Sequence, residues 1–579
     1  DYVVERGLDD GEVHPVYQAM NRLDYDVGNI GNHEFNFGLD FLKQSVSGAD
    51  FPYISANVLD AESGEPVFEP YLIREYSVTD RNGQERDLSV GYIGLVPPQI
   101  MEWDKQHLEG RVVAEDITRS AREWVPRMKS EGADLVIAVA HSGLSTKPYR
   151  AMAEDSVYYL SKVEGIDAIA FGHAHAVFPS PDFAGLPGVD VERGTVNGVV
   201  AVMPGRWGSH LGVMDLVLEE REGQWHLVSA RSEARPVYDP GRGGALVEAD
   251  PAVTRAAGSA HEATRDFVNR PIGRTAGAIN SYLAMLQDDA SVQIVNDAQM
   301  DYVRRYSRGD PDLGKLPVLS VTAPFKAGGR GDSPGSYVSI TPGDLSWGDA
   351  ADLYPFPNRL VALRITGAEL REWLECSVSI FNRIDTGDGE AQPLINRDSF
   401  RAYNYDVFDG VSYRIDITRP ARYSSGCEKV NDDAHRIRKL SHDGVPVQPG
   451  QTFLVATNNY RAFSGRFPGT GEDNVAFESP DENRRILADY MAEESSGEEG
   501  LSIRADHNWR LAPIKSGNPL LVTFRTGPGE QAAAMVRERS LYPMHRLGKD
   551  DAGYAVYRVE FGARDSAPTG SKDGPADEE

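Results

Sequence analysis

Cysteine is nearly missing from this chain: Cys376 and Cys427 are the only two in 579 residues. Two are too few for a disulfide framework or a thiolate metal site, and they leave open one disulfide or two buried thiols. Long apolar runs are also missing, and nothing approaches the roughly 20 residues that a membrane helix needs. The longest, "ADLVIAVAHSG" and "IDAIAFGHAHAVF", have the length of buried strands. Positive charge is scarce. Lys and Arg number 59 against 88 Asp and Glu, a net charge of −29, which excludes a large polynucleotide footprint or an acidic membrane partner. Small anions are not excluded, because a metal or a local Arg cluster overrides the global field. The first residue is Asp rather than Met, so the chain reads as truncated or processed, and the lack of a leader carries no information about compartment.

What is present is the composition of a folded globular protein, 40% hydrophobic and 25% charged, too long for one hydrophobic core. The first 220 or so residues alternate short apolar runs with helix-like stretches. "DLSVGYIGLV", "GADLVIAVAHSG" and "GIDAIAFGHAH" read as strands, and "DITRSAREWVPRMKSE" between them has helical spacing. The pattern predicts an α/β layered domain over 1–235, closed by consecutive strands in "GVVAVMPGRWGSHLGVMDLVLEE". A Gly- and Pro-rich linker and a connecting helix are expected over 236–270, and a second domain with more aromatics and Arg over 271–562. The tail 563–579 has the composition of an acidic disordered segment.

His33, His141, His173 and His175 each fall at or just past the end of an apolar run, where open α/β sheets place their ligands. A single such histidine is more often structural than a ligand. "GHAH" is more specific, because residues two apart on an extended segment point to one side, and paired neutral imidazoles suit zinc or a transition metal. The small residues beside them let an ion approach the backbone.

"GNHEF", "AHSG" and "GHAH", in that order, resemble the calcineurin-like metallophosphoesterases. With "GGR", "PFPN" and "TNNYRAFSG" further on, the chain resembles the two-domain 5′-nucleotidase family over all but its tail. The runs "EVHPVYQAMNRLDYDVGNIGNHEFN", "GYIGLVPPQIM", "EWLECS" and "FLVATNNYRA" resemble the branch acting on 2′,3′-cyclic nucleotides and 3′-nucleotides. The resemblance implies a four-layer α/β (α+β sandwich) metallophosphoesterase domain, then a substrate domain. It implies two divalent metal ions of the Zn, Mn or Co type. Asn32, His141 and His173 would bind the second ion and His175 the first, while His33 would face the phosphate. In related 5′-nucleotidases an Asp orients that histidine; Asn36 stands here, which leaves open how His33 is held. Glu34 is expected to be a scaffold acceptor. The family's Asp-x-His and Gly-Asp motifs should both lie before Asp1 and are not found in the first domain of this chain, so these 579 residues alone are expected to be weakly active or inactive.

In the second domain the resemblance assigns Phe356 and Tyr460 to stacking on the base, Asn358 to its edge, and Arg330 to phosphate or ribose. Tyr403 and Tyr405 are lesser candidates. The segment around Arg330 also spells "RGDSP", a tripeptide-level match to adhesion sequences. The expected activity is hydrolysis of 2′,3′-cyclic nucleotides to 3′-nucleotides and of these to nucleosides. The resemblance further implies small-molecule partners, a monomer and a periplasmic location. The alternatives are a 5′-nucleotidase or nucleotide-sugar hydrolase, and a non-catalytic nucleotide-binding or adhesion module.

Overall fold

The computed structural model describes residues 2–9, 11–239, 244–329, 334–397, 399–400, 402–497, 500–517 and 519–561. Arg330, with most of "RGDSP", and the tail 563–579 therefore lie outside the described residues. The chain forms two compact units, Asp1–Asp266 and Phe267–Glu579.

The first unit is built on a sheet of eight strands. Its centre is four parallel strands, Glu85–Leu95, Leu135–Ala140, Ala168–Phe171 and Val199–Pro204, adjacent in that order. "LVIAVA" has no polar alternation because a central parallel strand is covered on both faces. Tyr71–Thr79 closes one edge antiparallel to Glu85–Leu95. The helix Ile117–Ser130 starts where Asp116 accepts the Arg119 N–H at 2.8 Å, and it buries Ile117, Ala121, Val125 and Met128. Because the four central strands run the same way, Leu95, Ala140 and Phe171 end at one edge of the sheet. A short parallel pair, Gly28–Asn29 with Tyr53–Ile54, is tied to that edge by Asn29 Nδ2 donating to Leu95 O at 3.0 Å. The closing strands His210–Arg221 and Gln224–Pro236 form a long hairpin. Within 236–250, Tyr238–Asp239 pairs with Gly244–Ala245, and the helix Pro251–Val268 follows.

The second unit centres on a five-stranded mixed sheet in the order Val407–Asp409, Val318–Thr322, Thr452–Asn458, Arg359–Thr366, Val475–Glu482. Strand Arg359–Thr366 runs directly into helix Gly367–Ser377, which opens on a reciprocal cap between Thr366 and Glu369. The far end of that helix carries Cys376, which forms a disulfide with Cys427, 51 residues on. Closing a loop of that length restricts the unfolded chain by about 4 kcal/mol on the chain-entropy account. Tyr405, a lesser candidate for base contact, is buried in the core edge-on to Phe381 and Trp509, which removes it from any substrate surface.

Candidate active site

The loop after Asn29 is held by its own side chains. Gly31 N–H donates to Glu34 Oε2 at 2.9 Å, so Glu34 is the scaffold acceptor here. His33–Phe35 form a single 3-10 turn that buries Phe35 and leaves His33 and Glu34 exposed. Gly31 is required by crowding. A Cβ there would lie 2.7 Å from Glu34 Oε2 and 3.1 Å from His141 Nδ1.

Asn32 is 7% exposed, and its Oδ1 lies 2.8 Å from His141 Nε2. His141 follows its strand directly, its N–H donating to Leu95 O at 2.8 Å. Burial first, and then the neighbouring His173, His33 and His175, push its pKa down to about 3, so it is a neutral imidazole at physiological pH. The His173 ring is 5.2 Å from that of His141 and stacks on Trp103 at 5.7 Å, with Nε2 2.6 Å from Glu154 Oε1.

The extended geometry expected for "GHAH" does not form. His173 and His175 both adopt left-handed backbone, with φ of 65° and 57°. The strand has already ended at Phe171, and the chain turns sharply beyond it. His173 is brought beside His141 by this turn rather than by strand alternation, while His175 is exposed. Left-handed backbone at two non-glycine residues costs free energy and is found where a site demands it. Among the described residues no three His, Cys, Asp or Glu side chains are gathered as a metal group. The set that does assemble is two imidazoles and one amide oxygen. These are neutral nitrogen and oxygen donors, which fit part of the coordination of a borderline divalent ion.

The question left by Asn36 is answered from a distant segment. His33 Nδ1 is 2.8 Å from Asn36 Oδ1, and Asn36 Nδ2 donates to Asp104 Oδ1 at 2.9 Å. Asp104 is 3% exposed. Burial pushes its carboxyl up to about 6, against the opposing pull of the Asn36 hydrogen bond and the His33 charge. No local pattern announces it, because it lies 68 residues from Asn36.

The shift has a consequence for stability. The native pKa stands above the unfolded carboxylate value, so the native state holds this proton more tightly. The contribution is present in full below about pH 4 and lost as pH rises through about 6. Asp104→Asn, which removes the buried charge, is expected to stabilise the protein by about 1–3 kcal/mol near pH 7.5 and by little near pH 4.5. Paired urea unfolding curves at the two pH values measure this; equal gains at both would contradict the assignment.

In the second unit, Leu360 pairs with Asn458 across antiparallel strands. "PFPN" therefore precedes one strand, and Tyr460 follows the other, at the same edge of the sheet. Both Phe356 and Tyr460 are partly buried. Arg359 N–H donates to Asn459 Oδ1 at 3.1 Å, and Asn458 Nδ2 donates to Tyr354 OH at 2.9 Å, which ties the two segments together. Asn358 Nδ2 stands 3.5 Å from the same hydroxyl. Phe325 packs edge-on against Phe356, with ring centroids 5.3 Å apart. Behind Tyr460, the buried Arg461 pairs with Asp406 at 2.5 Å and also donates to Tyr403 O, which fixes the start of its helix. Gly328 and Gly329, at φ of 98° and 62°, lead toward Arg330.

The two units match two known families, which together define a class, the two-domain metallophosphoesterases. Residues 1–177 match the calcineurin-like phosphoesterase family, whose members use divalent metal ions, and residues 271–468 match the 5′-nucleotidase C-terminal domain. A 5′-nucleotidase precursor from Thermus thermophilus shares the fold, with a TM-score of 0.53 over 87% of each chain at 18% identity. The 2′,3′-cyclic-nucleotide 2′-phosphodiesterase/3′-nucleotidase of Salmonella typhimurium is 53% identical over 97% of this chain and 87% of its own length. That of Yersinia enterocolitica is 52% identical over 97% of this chain and 86% of its own. The chain belongs to this family of 2′,3′-cyclic-nucleotide 2′-phosphodiesterase/3′-nucleotidases.

Proposed function

We propose that the protein hydrolyses 2′,3′-cyclic nucleotides to 3′-nucleotides, breaking the bond from phosphorus to the 2′-oxygen, and then hydrolyses these to nucleoside and phosphate. The observation that supports this most is the assembly of Asn32, His141 and His173 beside a tethered His33, in a chain so similar to relatives bearing that name. Asn32, His141 and His173 would hold one divalent ion and His175 would contribute to another. Bound there, such ions supply Lewis acidity toward phosphoryl oxygens and lower the pKa of water. His33, with Nδ1 engaged by Asn36, has Nε2 free to stabilise phosphoryl charge or to serve the leaving oxygen as an acid. Phe356 and Tyr460 would stack on the base and Asn358 would contact its edge, with Arg330 reaching phosphate or ribose. Stacking tolerates different bases, so broad base use is expected.

We also propose export and action as a monomer on small nucleotides. The Cys376–Cys427 disulfide suits an oxidising compartment such as the periplasm, and no helix among the described residues is long and apolar enough to cross a membrane. The competing reading, 5′-nucleotidase activity, is separated by comparing kcat/KM for 3′-AMP and 5′-AMP with the natural gene product. A preference of about 100-fold or more for the 3′-ester is expected, and a preference for the 5′-ester would overturn the assignment.

A further inference from the structure

Asp104 makes one side-chain hydrogen bond among the described residues, to Asn36. It stands at the start of the short helix Lys105–Leu108, where an aspartate side chain would normally cap a backbone N–H, and it makes no such bond. One oxygen takes the Asn36 amide, and the other is buried with no hydrogen-bond partner among the described residues. A buried carboxylate left half satisfied is unfavourable, and an apolar or amide residue of similar size would serve packing better.

Its effect is legible in the direction of the hydrogen bonds. An ionised carboxylate only accepts, so Asn36 must turn its NH2 toward Asp104. That turns Asn36 Oδ1 toward His33, and an amide oxygen also only accepts. The 2.8 Å contact then requires a proton on His33 Nδ1, leaving Nε2 as the nitrogen that can exchange a proton elsewhere. With no carboxylate behind it, Asn36 could present either end to the imidazole, and neither tautomer would be favoured.

We propose that Asp104 is a positioning residue for His33, acting through Asn36 to set the orientation and tautomer of the imidazole. In the chain Asp104–Asn36–His33 the carboxylate acts on the histidine through an intervening amide. This inference rests on the reading of His33 as the group that meets the phosphate.

The experiment is a two-residue cycle in the natural gene product, Asp104→Asn, Asn36→Asp and the double variant. It is read by kcat and KM on 2′,3′-cyclic AMP and 3′-AMP and by the ring ¹⁵N signals of His33. Asp104→Asn removes the fixed acceptor, and Asn36→Asp places two carboxylates in contact. Each is expected to lower kcat by about 10- to 100-fold with KM within about threefold. The double variant exchanges the two groups, so that the carboxylate sits directly on His33 Nδ1 and the amide behind it donates to that carboxylate. It is expected to recover kcat to within about fivefold of wild type. The ¹⁵N signals should show Nδ1–H in wild type and in the double variant, and a tautomer mixture in Asp104→Asn. Wild-type kcat in Asp104→Asn, or a double variant no better than the worse single, overturns the proposal. So does an unchanged tautomer in Asp104→Asn. If wild type itself hydrolyses neither nucleotide, the proposed reaction fails, while the ¹⁵N signals still decide whether Asp104 sets the tautomer.

Discussion

Replacing His33 with alanine should lower kcat by about 10²- to 10⁴-fold on 2′,3′-cyclic AMP and on 3′-AMP alike, with KM within about threefold. The size follows from the role. A group that stabilises charge or transfers a proton only in the transition state affects kcat and leaves ground-state binding nearly untouched. The fold should not suffer, because His33 is exposed on a turn anchored by the buried Phe35. The substitution frees Asn36 Oδ1 at a partly buried position, where solvent can replace the lost donor. Steady-state kinetics on both substrates, with a thermal midpoint as control, measure this. A kcat within about fivefold of wild type would remove His33 from the chemistry.

The second large effect belongs to binding. Truncating Phe356 and Tyr460 together to alanine should reduce kcat/KM for nucleotides by about 5- to 150-fold, since stacking contributes about 1–3 kcal/mol per base. The two rings share one base, so their contributions are not additive and are not summed. The loss should appear mainly in KM. A phosphodiester without a base, bis(p-nitrophenyl) phosphate, is the internal control, and its turnover should change by no more than about twofold. Equal losses on both substrates would mean that the aromatic pair supports the fold rather than the base. Phe356 is the more exposed to that objection, since it packs on Phe325.

The first domain was readable in sequence because parallel strands covered on both faces lose polar alternation, as "LVIAVA" and "AIAF" do. The helix Ile117–Ser130 was readable for the opposite reason, its apolar residues recurring at three and four. The site was readable only as far as chemistry is local. "GNHEF" gave Asn32 and His33 their neighbours, and Glu34 does close the turn on Gly31. "GHAH" misled on geometry, because the strand ends at Phe171 and the left-handed turn beyond it leaves no trace in the order of residue types. Asp104 could not be found at all. Its tie to Asn36 spans 68 residues and depends on the packing of two short helices against the loop. The only signal was indirect, an amide standing where a carboxylate was expected. Tyr405 shows the reverse error, since its aromatic character was visible and its burial was not. Cysteine count alone could not choose between a bond and two thiols; the fold brings Cys376 and Cys427 to a Cα separation of 5.4 Å and joins them.

One reaction followed in time tests the account most directly. The natural gene product is given 2′,3′-cyclic AMP, and the phosphorus species are followed by ³¹P NMR. 3′-AMP should rise first with little or no 2′-AMP, and then give way to inorganic phosphate and adenosine. The same course should stall in both steps in His33→Ala. Accumulation of 2′-AMP, or an intact cyclic phosphate beside rapid release of phosphate from 5′-AMP, would contradict it.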